Sequence, residues 1–304
     1  MQVTAPLVHV GYPKTASTWL QNQLFSCAGN GFRAVPPLEI LEYLVFRDGV
    51  TFDRTAALDS FAPHLADAES QGLLPVLSNE VLVGDQTQGG RYWGAMVADR
   101  LHEVFPDARI LMIVREQASM LVSSYRQYVR VGGSSTMTEF VQRQPGFDAV
   151  CRLDFFEYDQ IIGYYQELFG PSNVLVLPYE LLRQDRQEFI QRVLGLVGME
   201  GGVQADARVA YHGWGGATIE IRRRLNRILD PWTYCDGPEP PKSWRAGDKA
   251  SRKLERFLPG AMQQRSERSL QAMAAEVVRG RYAVSNRRTA KLIGFDLAAL
   301  GYDS

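Results

Sequence analysis

The sequence predicts an α/β protein with a central parallel sheet flanked by helices and a helical cap at the C-terminal end. Four short apolar runs alternate with segments of helical periodicity, which is the pattern of βαβ units. Beyond Gly213 the pattern is almost wholly helical. With 304 residues, 45% of them hydrophobic, the chain can bury a sizeable core. We therefore expect one domain over residues 1–304, with the cap over roughly 213–304.

The elements follow from these patterns in chain order. The apolar runs predict strands at residues 7–10, 75–77, 109–114 and 174–177. Apolar residues at helical spacing after the first strand predict a helix that begins near Ala16. The same spacing predicts further helices at residues 55–70, 91–105, 117–129, 155–168, 186–197, 219–228, 263–279 and 284–293.

Charge and cysteine content narrow the function classes. The 33 Lys and Arg against 34 Asp and Glu give a net charge of -1, so no global field attracts nucleic acid or an anionic membrane, and any anion site is local. Three widely separated cysteines, Cys27, Cys151 and Cys235, show no metal-binding spacing and favour a reducing compartment, with the cytoplasm expected. We expect no signal peptide and no membrane span, because no apolar stretch reaches the required length.

The loop after the first strand has the composition of an anion site. Residues 8–20 place a strand, a tight turn, Lys14, three hydroxyl residues and a helix in that order. The first N–H groups of a helix are unpaired and carry partial positive charge, and Ser17 and Thr18 can add hydroxyl donors. Alternatively, Lys14 is a solvated loop lysine, and Thr15 or Ser17 only caps the helix. No glycine directly precedes Lys14, so the nucleotide pattern GxxxxGK[ST] is absent and an ordinary ATPase or kinase is disfavoured.

A second anion ligand is predicted where the strand at residues 109–114 ends. Arg115 follows this strand directly, and an arginine there can fork onto two phosphate oxygens. Ser123, two helical turns further on, can reach the same ligand. The alternative pairs Arg115 with a carboxylate such as Glu116 and leaves Ser123 as a helix-surface hydroxyl.

The loop at residues 12–20, YPKTASTWL, resembles the 5′-phosphosulfate loop of the sulfotransferase family, usually written YPKTGTTWL or PKSGTT. The resemblance implies a P-loop-like three-layer fold and 3′-phosphoadenosine 5′-phosphosulfate (PAPS) as donor, with Lys14 beside the bridging oxygen of the leaving group. The donor ligands that it implies in this loop are Pro13, Lys14, Thr15, Ala16, Ser17, Thr18 and Trp19. Ala16 replaces the usual glycine, and we expect the turn to work if this residue is already helical.

The segment from Arg115 to Ser123 resembles the family's 3′-phosphate site, in which a serine lies eight positions beyond an arginine. Glu116 and Gln117 depart from the family's pair of asparagine or aspartate and proline. Weaker resemblances cover residues 176–182, VLPYELL, and residues 282–302 near the end of the chain.

Sulfuryl transfer needs a base that takes the acceptor's proton and a cation that stabilises the leaving oxygen, and it needs no metal. Glu80, just after the second predicted strand, is the favoured base, and many carbohydrate and bacterial sulfotransferases carry a glutamate there. His212, flanked by glycine and aromatic residues, is the rival base. The alternative is that Glu80 is a surface carboxylate or a partner of Arg115.

The predicted reaction is transfer of a sulfuryl group from PAPS to a hydroxyl, or an amine, of a carbohydrate or small molecule. A nucleotide-dependent phosphoryl transferase and a non-catalytic nucleotide-binding module are the alternatives. The sequence predicts no nucleic-acid partner, and it specifies neither the acceptor nor the oligomeric state.

Overall fold

The computed structural model describes residues 5–85, 90–142, 149–201, 203, 214–229 and 242–304. The chain divides into two compact units. The first comprises Met1–Glu116, Leu153–Val209 and Tyr282–Ser304, and the second comprises Gln117–Arg152 and Ala210–Arg281. A single domain with a cap over roughly 213–304 stays a prediction.

The first unit contains a five-stranded parallel sheet, which confirms the predicted fold class. Its strands are β1 (Leu7–His9), β2 (Phe32–Ala34), β3 (Leu74–Ser78), β4 (Arg109–Val114) and β5 (Val174–Pro178), in the order β2-β3-β1-β4-β5. Central β1 pairs with β3 and β4, so that Val8 lies opposite Leu77 and Ile110. Most residues of these central strands are apolar and buried, as expected for a parallel sheet covered by helices, and His9 and Ser78 are buried polar exceptions.

The strand β2 is absent from the sequence prediction. It has three residues at the sheet edge, and only Phe32 among them is buried. So short a segment with one inward side chain carries neither an apolar run nor an alternating pattern.

The helices are, in chain order, α1 (Ser17–Trp19), α2 (Pro37–Ile40), α3 (Arg54–Ser70), α4 (Gly90–Val104), α5 (Gln117–Arg130), α6 (Met137–Val141), α7 (Tyr158–Phe169), α8 (Tyr179–Gln184), α9 (Arg186–Leu196), α10 (Gly216–Leu229), α11 (Lys242–Phe257), α12 (Gly260–Val278) and α13 (Ala283–Ile293). π-Helical turns extend α1 over Leu20–Phe25 and α2 over Leu41–Phe46. The predicted helix at 155–168 begins later than expected, because Leu153–Phe156 form a separate 3-10 turn.

One apolar cluster fixes the sheet and the helices around β1. The cluster combines side chains from the strands with side chains from the helices. The strands contribute Leu7, Val76, Leu111, Ile113 and Leu177, and the helices contribute Leu20, Leu24, Phe189 and Val193. Each fully buried side chain of this size contributes about 1.5 to 3 kcal/mol relative to an exposed one. The segment between β1 and α1 is therefore held at both ends by packed elements.

The described part of the second unit contains α5, α6, α10, α11 and α12. The Asn226 side chain donates to the carbonyls of Val129 and Gly133, both at 2.8 Å, and so satisfies the end of α5. An ion pair between Arg126 and Glu267 joins α5 to α12. These contacts join α5 to α10 and to α12.

Within the described ranges, no helix combines the length and apolar character needed to cross a bilayer. Cys27 is exposed and Cys151 is buried, and they form no disulfide with each other, whereas Cys235 lies outside the described residues. In the same ranges no group of three or more His, Cys, Asp or Glu is arranged to hold a metal ion.

Candidate active site

The loop between β1 and α1 has an unusual backbone. Lys14 has φ 70° and Ala16 has φ 69°, and these are the only non-glycine residues with positive φ in the described chain. Left-handed residues in a turn bring backbone N–H groups together into an anion-binding concavity. Conformations of this kind are costly, and they concentrate where ligands bind.

The structure corrects the expectation for Ala16, because this residue is not helical. It caps α1 in the left-handed conformation, and its carbonyl accepts from the N–H groups of Trp19 at 2.9 Å and Leu20 at 3.1 Å. The Cβ of an L-residue crowds the backbone there, at a cost of roughly 1 to 2 kcal/mol. The glycine usual in the family avoids that cost.

We expect Ala16→Gly to raise the free energy of unfolding by roughly 0.5 to 1 kcal/mol, because relief of left-handed strain exceeds the added entropy of the unfolded chain. Chemical denaturation measures this change. Ala66→Gly is the matched control, since Ala66 is exposed inside α3 and its replacement is expected to destabilise by about 1 kcal/mol. Destabilisation by both variants would contradict the strain assigned to Ala16.

The hydroxyl residues of the loop have different environments. Thr15 is fully buried, and its hydroxyl donates to the Tyr12 carbonyl at 2.5 Å. This hydrogen bond joins two residues of the loop and stabilises its turn. Ser17 is 3% exposed, and its Oγ has no hydrogen-bond partner among the described residues. A buried hydroxyl left unpaired costs about 1 to 3 kcal/mol, so Ser17 fits a site that an anionic ligand completes. Thr18 is exposed.

Beneath the loop, His9 occupies the space next to Gly11. His9 is the last residue of β1, which ends one residue before the predicted end at Val10, and its Nδ1 lies 2.8 Å from Ser78 Oγ on β3. A Cβ on Gly11 would lie 2.4 Å from His9 Nε2, so any other residue at this position would force the buried His9 ring to move. Burial lowers the pKa of His9 to about 3, which keeps the ring neutral in the physiological range. His9 thus supports the loop without adding charge.

Arg115 lies against the same loop. It follows β4 directly, and its Nη1 donates to the Lys14 carbonyl at 2.9 Å. The guanidinium carbon lies 4.7 Å from the centre of the Tyr179 ring, and Nε is buried without a hydrogen-bond partner in the described chain. The two predicted anion ligands, Lys14 and Arg115, are thus brought together because β4 is the neighbour of β1.

The backbone of Arg115 is bonded as well. Tyr158 donates its hydroxyl to the Arg115 carbonyl at 2.6 Å. Sequence reasoning missed Tyr158 and Tyr179 as contacts of Arg115, although Tyr179 lies in the segment 176–182 that weakly resembles the family.

Glu80 begins the 3-10 turn Glu80–Val83 directly after β3 and is half-buried. The Asn79 side chain caps this turn by accepting from the Val81 N–H at 3.0 Å. Because β3 is the parallel neighbour of β1, Glu80 and Lys14 follow strands that end at the same edge of the sheet.

The structure gives less direct support for the roles predicted for the remaining site residues. Trp19 is buried in the apolar core, so its side chain packs, and its assignment as a donor ligand stays a prediction. Pro13 is buried in the loop. Ser123 is half-buried on α5 in the second unit, and its predicted role also stays a prediction. His212 lies outside the described residues.

Comparison with known proteins finds a matching family model and a solved structure with the same fold. The model described as Sulfotransferase family matches residues 6–202. A solved sulfotransferase from Alicyclobacillus acidocaldarius superposes with a TM-score of 0.54 at 14% identity, over 98% of this chain and 99% of that chain. At that identity the similarity shows the fold alone, which is the P-loop-like fold predicted from the sequence.

Two further solved structures are more distant. A sulfotransferase domain from the curacin biosynthetic pathway gives a TM-score of 0.38 at 14% identity, covering 84% of this chain and 99% of that chain. A mouse sulfotransferase complexed with PAP gives a TM-score of 0.32 at 12% identity, covering 95% and 89%. The comparison with curated protein sequences gave no significant match.

Proposed function

The chain belongs to the sulfotransferase family, and on that premise we propose that it transfers a sulfuryl group from PAPS to a hydroxyl or amine of a small-molecule or carbohydrate acceptor. In this reaction the acceptor oxygen or nitrogen bonds to sulfur as the bond from sulfur to the bridging oxygen breaks. The products are the sulfated acceptor and adenosine 3′,5′-bisphosphate (PAP). No metal is required in this proposal.

The observation that carries the proposal is that two buried polar atoms, Ser17 Oγ in the loop and Arg115 Nε beside it, have no hydrogen-bond partner among the described residues. PAPS offers two anionic groups, a 5′-phosphosulfate and a 3′-phosphate. In the proposal the loop around Lys14 and Ser17 binds the first, and Arg115 binds the second. The sequence resemblance assigns Ser123 to the same 3′-phosphate. It assigns the remaining loop residues to the 5′-phosphosulfate.

The residues then have distinct roles in the transfer. Lys14 neutralises the charge that develops on the bridging oxygen, and Glu80 takes the proton from the acceptor. The position of Glu80 at the sheet edge that carries the loop supports this role, and His212 remains the rival base. We also propose that the protein acts in the cytoplasm, as its cysteine usage predicts.

The direct test is incubation of the protein with PAPS and a panel of hydroxyl- and amine-bearing acceptors, followed by mass spectrometry. We expect at least one acceptor to gain the mass of a sulfuryl group together with stoichiometric release of PAP. Transfer of a phosphoryl group from ATP, with no sulfated product from PAPS, would contradict the proposal in favour of a phosphoryl transferase.

For the 3′-phosphate ligands, we expect Arg115→Ala to weaken PAP binding by about 2 to 5 kcal/mol and Ser123→Ala by about 1 kcal/mol. The arginine matters more because it loses a charge-assisted contact. Calorimetric titration with PAP measures both effects. Arg47→Ala, which removes an exposed arginine paired with Glu42, is the control expected to bind normally. Unchanged affinity in both test variants would remove this part of the proposal.

A further inference from the structure

The turn that presents Arg115 lacks the residues that usually stiffen it. The resembling family has a proline two positions beyond the arginine, whereas this chain has Glu116 and Gln117 there. A proline fixes its own φ and restricts the residue before it. Without proline, the orientation of Arg115 depends on other contacts.

Two side chains hold the peptide group between Arg115 and Glu116 from opposite sides. Its carbonyl accepts from the Tyr158 hydroxyl at 2.6 Å, and its N–H donates to Glu180 Oε1 at 3.1 Å. A peptide group with both polar atoms bonded cannot rotate without breaking one of these bonds. The backbone is therefore fixed at Arg115, whose side chain contacts the loop between β1 and α1, here called the donor loop.

Glu180 is itself held by the C-terminal segment of the chain. Its second carboxylate oxygen, Oε2, accepts from the Tyr302 hydroxyl at 3.0 Å, and Tyr302 is 3% exposed. Burial raises the pKa of Glu180, while the Glu116 N–H, the Tyr302 hydroxyl and the charge of Arg115 oppose that rise. These partners therefore stabilise the ionised form of the Glu180 carboxylate.

We propose that Glu180 and Tyr302 are positioning residues for Arg115, and that they replace the missing proline turn by clamping the Arg115–Glu116 peptide group so that the guanidinium binds the 3′-phosphate of the donor. The inference rests on the proposed function. Neither residue touches the donor in this scheme, and both act through the backbone of the turn. All of the residues concerned belong to the first compact unit.

Tyr302→Phe is the main test, because it removes one hydroxyl and preserves the buried ring. We expect its affinity for PAP to fall by roughly fivefold, the equivalent of one lost hydrogen bond of about 1 kcal/mol. Affinity for AMP, which has the 5′-phosphate and lacks the 3′-phosphate, should stay unchanged. Titration calorimetry of the full chain with both nucleotides measures this difference.

Two substitutions of Glu180 provide an independent measurement. Glu180→Ala leaves the Glu116 N–H without its acceptor, so PAP affinity should fall by roughly tenfold or more while AMP affinity holds. Glu180→Gln keeps an acceptor oxygen for that N–H and should recover most of the lost PAP affinity. Tyr164→Phe is the matched control, since Tyr164 also donates to a carboxylate, that of Asp99, in the same unit.

The outcomes separate this inference from the proposed function. A loss selective for PAP in Tyr302→Phe, with rescue by Glu180→Gln relative to Glu180→Ala, supports it. Equal losses for PAP and AMP, or no loss in either Tyr302→Phe or Glu180→Ala, would overturn it while the wild-type preference for PAP keeps the proposed function intact. A wild-type protein that does not prefer PAP over AMP would overturn both.

Discussion

Lys14→Ala is expected to lower turnover by roughly a hundredfold to a thousandfold, with a much smaller loss of donor affinity. The reason is that the Lys14 charge counts most when the bridging oxygen becomes a full anion in the transition state. The loop backbone should survive the change, because alanine has the same Cβ at φ 70° and the Lys14 carbonyl still accepts from Arg115.

Turnover of Lys14→Ala is measured from PAP release at saturating PAPS, and donor affinity is measured by titration with PAP. Lys14→Arg, which keeps a positive charge, should retain part of the rate. Lys291→Ala removes an exposed lysine of α13 and should match the wild type. If Lys14→Ala turned over at a near-normal rate, the role assigned to this lysine would be wrong.

Glu80→Gln is expected to lower turnover by roughly a hundredfold to ten-thousandfold and to leave donor binding unchanged. The amide preserves the shape of the side chain but cannot take the acceptor's proton. The 3-10 turn that Glu80 begins is capped by the Asn79 side chain, and the substitution leaves this hydrogen bond in place.

Single-turnover kinetics with PAPS and the acceptor found by the panel isolate this step. Glu69→Gln, at an exposed site near the end of α3, is the control expected to keep full activity. His212→Ala provides the competing result. If it were inactive with the donor bound normally while Glu80→Gln stayed active, the base would be His212, and the sulfotransferase assignment itself would stand.

Contiguous motifs and short apolar runs made much of the fold predictable. The strands β1, β3, β4 and β5 are short buried runs, and the donor loop is a continuous segment next to one of them. The edge strand β2 escaped prediction because it buries only Phe32. The left-handed conformation of Ala16 escaped as well, since an alanine before a helix ordinarily indicates helix rather than positive φ.

The contacts that unite the site were beyond sequence reasoning for a different reason. Arg115 and Lys14 are 101 positions apart, and they meet only because the sheet order places β4 beside β1. The hydrogen bonds to the Arg115–Glu116 peptide group come from α7 and α8, and α8 is held in turn by the C-terminal segment. No local sequence pattern encodes the proximity of these elements. The motif residues could therefore be named individually, whereas their mutual arrangement required the structure.

The central claim is that this protein binds a 3′,5′-bisphosphorylated adenosine donor, and a competitive calorimetric titration of the wild-type chain tests it most directly. PAP, AMP, ATP and GTP are compared, the last two with and without Mg²⁺. We predict that PAP binds at least about tenfold more tightly than AMP, because the 3′-phosphate adds a charge-assisted contact of about 1.5 kcal/mol or more. Binding of ATP or GTP as tight as that of PAP, or the absence of PAP binding, would contradict the account.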